Sequence, residues 1–122
     1  MQSAKTQIRS GPLALTVDRI GTTATLSLAG ELDLSNVAAF GEAIEGCGGA
    51  ECDAVVLDLS ALEFIDSTGI AAILRAHDRL GGEGRALRIV PSSHAAVSRV
   101  FELVGVAQSL PFLQERPGSM AK

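Results

Sequence analysis

The sequence predicts an α/β protein with a mixed sheet of four to five strands and about three to four helices. Two observations predict this fold class. Short runs with alternating apolar residues are separated by segments whose apolar residues recur at helical spacing. A chain of 122 residues also has room for only one hydrophobic core. Because strands that alternate with helices form right-handed βαβ units, most of the sheet should be parallel, and an initial hairpin makes it mixed.

The predicted elements follow the order β-β-α-β-α-β-α, with a short edge strand at the end. The first helix has Ser35 as its expected N-cap and ends at Cys47-Gly48-Gly49. Ser92 or Ser93 is expected to cap the third helix, and Gly105 follows that helix. The predicted strands cover residues 13–17, 23–29, 53–59, 86–90 and 110–113, and the second helix covers residues 67–80.

The polar residues 1–12 end in Gly-Pro, and we expect a flexible N-terminal tail there. One domain should cover residues 13–114, and residues 115–122 should form a C-terminal tail. Residues 1–12 lack the apolar core of a signal peptide, and the apolar runs are too short to span a bilayer. We therefore expect a cytoplasmic protein without membrane insertion.

Composition argues against several function classes. The formal net charge is −4 and no Lys/Arg cluster is present, so direct contact with nucleic acid is not expected. Cys47 and Cys52 have no second Cys/His pair with ligand spacing, so neither a metal nor another cofactor is expected. We interpret them as two thiols in a reducing cytosol. The chain lacks a nucleophile–base pairing, a metal cluster and a nucleotide fingerprint, and we predict that it is not an enzyme.

A phosphorelay receiver domain has a similar length and a similar order of elements. Such a domain needs paired acidic residues after its first strand and a lysine after a late strand, and the sequence has neither. Phosphotransfer to an aspartate is therefore disfavoured.

The most informative stretch covers residues 57–70, which lead from a central strand through a loop into a helix. Ser67 lies where a helix N-cap is expected, and its hydroxyl can accept a bond from a free backbone N–H. The start of a helix also favours anions, so a phosphoryl group on Ser67 would be tolerated there. From these residues alone, Ser67 either holds the helix start or carries a modification.

Two short motifs resemble those of a known family. Asp66-Ser67-Thr68-Gly69, preceded by a strand over residues 55–59, closely resembles the phosphorylation segment of STAS-domain anti-sigma factor antagonists. Gly30-Glu31-Leu32-Asp33 is similar to the Gly-Glu-(Leu/Ile)-Asp motif of that family. Residues 100–106 add a looser match, and the likeness covers residues 13–113. The resemblance implies a STAS-like fold.

The resemblance also implies a function. In this family the partner anti-sigma factor is a serine kinase that phosphorylates the residue corresponding to Ser67. The unmodified antagonist binds the anti-sigma factor and frees its sigma factor, phosphorylation switches the antagonist off, and a phosphatase resets it. The residues that map to partner binding are Asp33, Asp66, Thr68, Gly69 and Ile70.

Two alternatives stay open. Asp33 is also a suitable residue to cap the first helix, and the two roles are compatible. Other STAS proteins share the fold but act as docking subunits of lipid-transport ABC complexes or as scaffolds in stress-signalling complexes. Those proteins use the corresponding helix as a constitutive docking face.

Overall fold

The structure is a computed structural model that describes residues 4–47 and 52–113. Its elements alternate in the order β1-β2-β3-α1-β4-α2-β5-α3. The strands are β1 (Ala4–Ser10), β2 (Leu13–Ile20), β3 (Thr23–Leu32), β4 (Ala54–Ile65) and β5 (Ala86–Val90). The helices are α1 (Val37–Gly46), α2 (Ser67–Gly82) and α3 (Ala95–Leu103).

The five strands form one sheet in the order β1-β2-β3-β4-β5. The pairs β1/β2 and β2/β3 are antiparallel, and the pairs β3/β4 and β4/β5 are parallel. The predicted mixed α/β fold is confirmed. Because β3 and β4 are parallel neighbours, each of them enters its following helix at the same edge of the sheet.

One face of the sheet carries the hydrophobic core. Buried residues alternate with half-buried ones in the first half of β2, along most of β3 and in the first half of β4, which is the period expected for strands covered on one face. Helices α1 and α2 contact each other and the sheet, and they contribute buried apolar side chains to this core. The largest fully buried side chains include Leu13, Leu15, Leu26, Leu28, Phe40, Leu57, Leu59, Ile73 and Leu80.

The expected flexible tail over residues 1–12 is wrong for residues 4–10. These residues form β1, which pairs with β2 along its whole length, and Gly11 makes the turn with a φ of 57°. Residues 5–9 are exposed, so β1 is held by backbone pairing and has no buried apolar face for a sequence pattern to reveal. The predicted tail over residues 115–122 and the glycines 48 and 49 lie outside the described residues.

Two predicted strands have different bounds in the structure. Strand β4 continues to Ile65 instead of ending at residue 59, because its pairing with β3 resumes after two register shifts that break the simple alternation. The predicted edge strand over residues 110–113 is reduced to a single parallel bridge between Ile89 and Phe112. The Phe112 ring packs edge-on against Phe101 of α3, with their centroids 5.1 Å apart.

Candidate functional site

The two sequence motifs meet at the carboxyl edge of the sheet. Leu32 at the end of β3 pairs with Ile65 at the end of β4, and each is followed immediately by an aspartate. Asp33 is therefore the first residue of the β3–α1 loop, and it follows the strand end that lies beside the one before Asp66. Asp66 is the residue just before α2. The prediction that the two motifs come together at neighbouring strand ends is confirmed.

The Asp66 carboxylate joins the β3–α1 loop to the start of α2. Its Oδ1 accepts a hydrogen bond from the Gly69 backbone N–H at 2.9 Å, which makes Asp66 the N-cap of α2. Its Oδ2 accepts from the Leu34 backbone N–H at 3.4 Å. The Asp66 N–H in turn donates to the carbonyl of Leu32 at 3.3 Å. Asp66 thus links the start of α2 to the end of β3 and to the loop that follows it.

Ser67 is the first residue of α2, so its predicted role as the N-cap is wrong. Pairing of β4 ends at Ile65, and Asp66 is the single residue left between strand and helix, so the capping position belongs to Asp66. The Ser67 side chain is exposed, and its hydroxyl makes no hydrogen bond within residues 4–47 and 52–113. The hydroxyl is therefore free for chemistry that does not disturb the cap.

The first turn of α2 adds a favourable environment for an anion. The Ser67 and Thr68 backbone N–H groups have no intrahelical partner, as at every helix start, and they carry the positive end of the helix dipole. Thr68 itself is half-buried.

Asp33 lies in a tight turn. Its Oδ1 accepts from the Ser35 backbone N–H at 3.0 Å and from the Ser35 hydroxyl at 2.6 Å. The side chain is half-buried and binds within the loop, so it does not cap α1.

The residue before α1 is Asn36, which corrects the prediction that Ser35 is the N-cap. Only 2% of Asn36 is exposed. Its Oδ1 accepts from the Asp33 N–H at 3.0 Å, and its Nδ2 donates to the Glu31 carbonyl at 2.9 Å. A buried amide therefore fixes the turn that presents Asp33, and a polar residue in a polar loop gave no sequence signal of that burial.

Gly69 and Ile70 do not lie at the surface, which corrects their predicted role as direct partner contacts. Ile70 is 3% exposed and belongs to the core. Gly69 is also buried, and a Cβ at this position would lie 2.8 Å from Ile65 Cγ1 and 3.0 Å from both Cγ and O of Leu32. The absence of a side chain at Gly69 allows α2 to approach the end of β3, rather than allowing a partner to approach Ser67.

Two exposed apolar residues at this edge were missed by the sequence reasoning. Leu34 in the β3–α1 loop is 72% exposed, and Phe64 near the end of β4 is 48% exposed. The available signal was a leucine inside an otherwise polar turn, directly after Asp33.

The cysteines lie away from this edge, at the end of α1 and before β4. Both are buried free thiols, and burial together with the neighbouring Cys52 raises the pKa of the Cys47 thiol. Within the described ranges, no three His, Cys, Asp or Glu side chains are grouped so that they could hold a metal ion.

A family model described as "Mlab, STAS domain" matches residues 15–115, which is most of the chain. The chain belongs to the STAS domain family. This match confirms the resemblance carried by the two motifs, and it covers both aspartates and the whole of α2.

Individual STAS proteins are also similar to this chain. A protein of Mycobacterium tuberculosis named anti-sigma-F factor antagonist RsfB is 39% identical over 75 residues, which is 59% of this chain and 61% of the relative. The match thus spans less than two thirds of that relative's length.

Solved structures show the same STAS fold. An anti-sigma factor antagonist from Mycobacterium paratuberculosis superposes with a TM-score of 0.71 at 24% identity, covering 96% of this chain and 92% of the other. The unphosphorylated form of the anti-sigma factor antagonist SpoIIAA gives a TM-score of 0.68 at 21% identity, covering 86% of this chain and 92% of the other.

In the part of the chain that the structure describes, no helix combines the length and the apolar character needed to cross a membrane.

Proposed function

We propose that this STAS domain is an anti-sigma factor antagonist, a cytoplasmic regulator without catalytic activity of its own. The observation that carries the proposal is the exposed, unbonded hydroxyl of Ser67 on the first turn of α2, at the edge of the sheet where Asp33 and Asp66 also lie. The relative named anti-sigma-F factor antagonist supports it. In this proposal the chain binds an anti-sigma factor and thereby frees the sigma factor.

The switch is phosphorylation of Ser67 by the anti-sigma factor, acting as a serine kinase. Phosphate adds a charge of about −1.5 to −2 at neutral pH. The phosphate would add like charge at the edge of the sheet that carries the Asp33 and Asp66 carboxylates, and it would oppose a partner surface that fits a neutral hydroxyl.

A penalty of about 3 kcal/mol would weaken the complex roughly 150-fold. A separate phosphatase acting on phospho-Ser67 would restore binding.

The site assignment is tested by incubating the chain with the candidate anti-sigma kinase and ATP and locating phosphate by mass spectrometry. Wild type should accept one phosphate and Ser67→Ala none. Ser93→Ala is the matched control, because Ser93 is also exposed and lies just before a helix, and it should accept phosphate like wild type. If Ser67→Ala accepts as much phosphate as wild type, the assignment is wrong.

The switch is tested by the affinity of the same complex. Ser67→Glu places a negative charge at the start of α2 without removing the Asp66 cap, so the fold should be retained while binding weakens. Ser67→Ala, which stays neutral, should bind like wild type. Equal affinity of the two variants would remove the switch mechanism.

The second candidate is a docking subunit of a lipid-transport ABC complex or a scaffold in a stress-signalling complex. The description of the matching family model, which names Mlab, supports this second candidate. A docking subunit would bind its partner constitutively through the same edge. Binding to a transporter ATPase that is unchanged in Ser67→Glu would therefore support this candidate over the antagonist.

A further inference from the structure

Leu34, the residue after Asp33, and Phe64, three residues before Ser67, are exposed apolar residues at the carboxyl edge of the sheet, and they are here called the anchor pair. Large apolar side chains at a surface are common singly, but two at one functional edge need an explanation. They lie on the two segments that also carry Asp33 and Asp66. Neither contributes to the buried core of the chain.

The structure holds the backbone of both anchors in place. The Leu34 N–H is bound by the Asp66 carboxylate, and the loop that carries Leu34 is fixed by the buried Asn36. Phe64 pairs with Glu31 between two parallel strands. A backbone that is already held in place loses little conformational freedom on binding, which favours these positions as interface anchors.

The surroundings of the anchor pair are acidic. Residues 20–74 contain nine Asp and Glu residues and no Lys or Arg. Four of these carboxylates, those of Glu31, Asp33, Glu63 and Asp66, belong to the same two segments as the anchors.

None of these four carboxylates forms a salt bridge within the described chain. The ion pairs found in residues 4–47 and 52–113 join Arg79 and Arg85 to Glu45 and Glu83, away from this edge. The charge of the edge is therefore available to a partner.

We propose that the anchor pair inserts into an apolar surface of the anti-sigma factor whose rim carries Arg and Lys side chains. This inference rests on the proposed function and adds the residues that carry the binding energy. The apolar anchors supply affinity at the centre, and the carboxylates, which form no salt bridge in the described residues, supply a fast, oriented encounter. A second copy of this chain is a poor occupant, because it would bring the same negative charge to the contact.

The test measures binding of the chain to the purified anti-sigma factor by surface plasmon resonance. Leu34→Ala and Phe64→Ala should each weaken binding at least about tenfold, mainly through faster dissociation. The matched controls are Leu103→Ala and Ile20→Ala, because Leu103 is 77% exposed and Ile20 is 50% exposed. Ile20 lies in the β2–β3 hairpin, at the opposite end of the sheet, and Leu103 ends α3.

Both controls should bind within about twofold of wild type, a difference of only about 0.4 kcal/mol. Raising the salt concentration from about 0.05 M to about 0.5 M should slow association of wild type and of both anchor variants alike. All four variants should keep the wild-type melting temperature, since each removes an exposed side chain.

The outcomes separate this inference from the function on which it rests. If the anchor variants bind like the controls while Ser67→Ala still abolishes phosphorylation, Leu34 and Phe64 do not carry the binding energy and the antagonist proposal stands. If the association rate does not respond to salt, the proposed Arg and Lys rim on the partner is wrong. If the wild-type chain binds no anti-sigma factor, both proposals fail.

Discussion

Replacing Gly69 by alanine tests how closely α2 must approach the end of β3. The new Cβ would lie 2.8 Å from Ile65 Cγ1, 3.0 Å from Leu32 Cγ and 3.0 Å from the Leu32 carbonyl oxygen. The side chain of Ile65 is packed in the core, and the carbonyl belongs to a paired strand, so neither neighbour moves easily. The start of the helix must therefore shift away from the sheet.

The expected magnitude follows from two opposing effects. Overpacking of this kind costs about 1–3 kcal/mol. Alanine recovers at most about 1 kcal/mol over glycine through its higher helix propensity. With the full propensity gain subtracted, we expect Gly69→Ala to lower the free energy of unfolding by up to about 2 kcal/mol, with about 1 kcal/mol as the central value. Each kcal/mol should lower the melting temperature by about 4 °C.

Gly41→Ala is the matched control in the middle of α1. Gly41 is exposed, and a Cβ there would meet no atom within 4 Å, so only the gain in helix propensity remains. This variant should be more stable than wild type by about 1 kcal/mol. Urea unfolding followed by circular dichroism measures both changes, which should have opposite signs. If Gly69→Ala is stabilised as much as Gly41→Ala, the close approach of α2 and β3 is wrong.

Two further predictions concern the cap of α2 and the buried thiols. Asp66→Ala should lose about 1–2 kcal/mol of the free energy of unfolding, measured in urea, because the Gly69 N–H loses its acceptor. Asp66→Asn keeps an oxygen acceptor and should recover most of this loss. An equal loss in both variants would contradict a cap that needs only an oxygen acceptor. Burial raises the pKa of Cys47 in the folded chain, so the unfolded chain loses this thiol proton at a lower pH than the folded chain does. The contribution of this thiol to the free energy of unfolding should be fully present below the ordinary thiol pKa of about 8.5. It should be lost as the pH rises through the pKa of the folded chain. The melting temperature of Cys47→Ala should fall less than that of wild type from about pH 7 to about pH 10, and parallel curves would contradict this.

The sequence alone determined the order of the main elements. The period-2 pattern of Ala24, Leu26 and Leu28 and the helical spacing of Val37, Phe40 and Ile44 are local properties, because each reports which side of an element faces the core. The same patterns could not reveal β1. That strand is exposed and exists through hydrogen bonds to a partner strand, which a local pattern does not encode.

The position of Ser67 also depends partly on the local sequence and partly on long-range pairing in the sheet. The motif Asp66-Ser67-Thr68-Gly69 placed a helix start within one residue of its observed place. Asp and Ser are both good N-caps, so the motif alone did not decide between them. The choice depends on where β4 stops pairing with β3, which is a long-range property of the sheet.

The sequence by itself determined the fold class, the two motifs and the expectation that they meet, because strand order and helix starts follow from local periodicity and capping. The tertiary structure alone decided which residues face solvent. It placed Gly69 and Ile70 inside and left Ser67, Leu34 and Phe64 outside. Exposure depends on how α2 packs against the ends of two strands that are more than thirty residues apart in the chain. That packing is a property of the assembled core and not of any single segment.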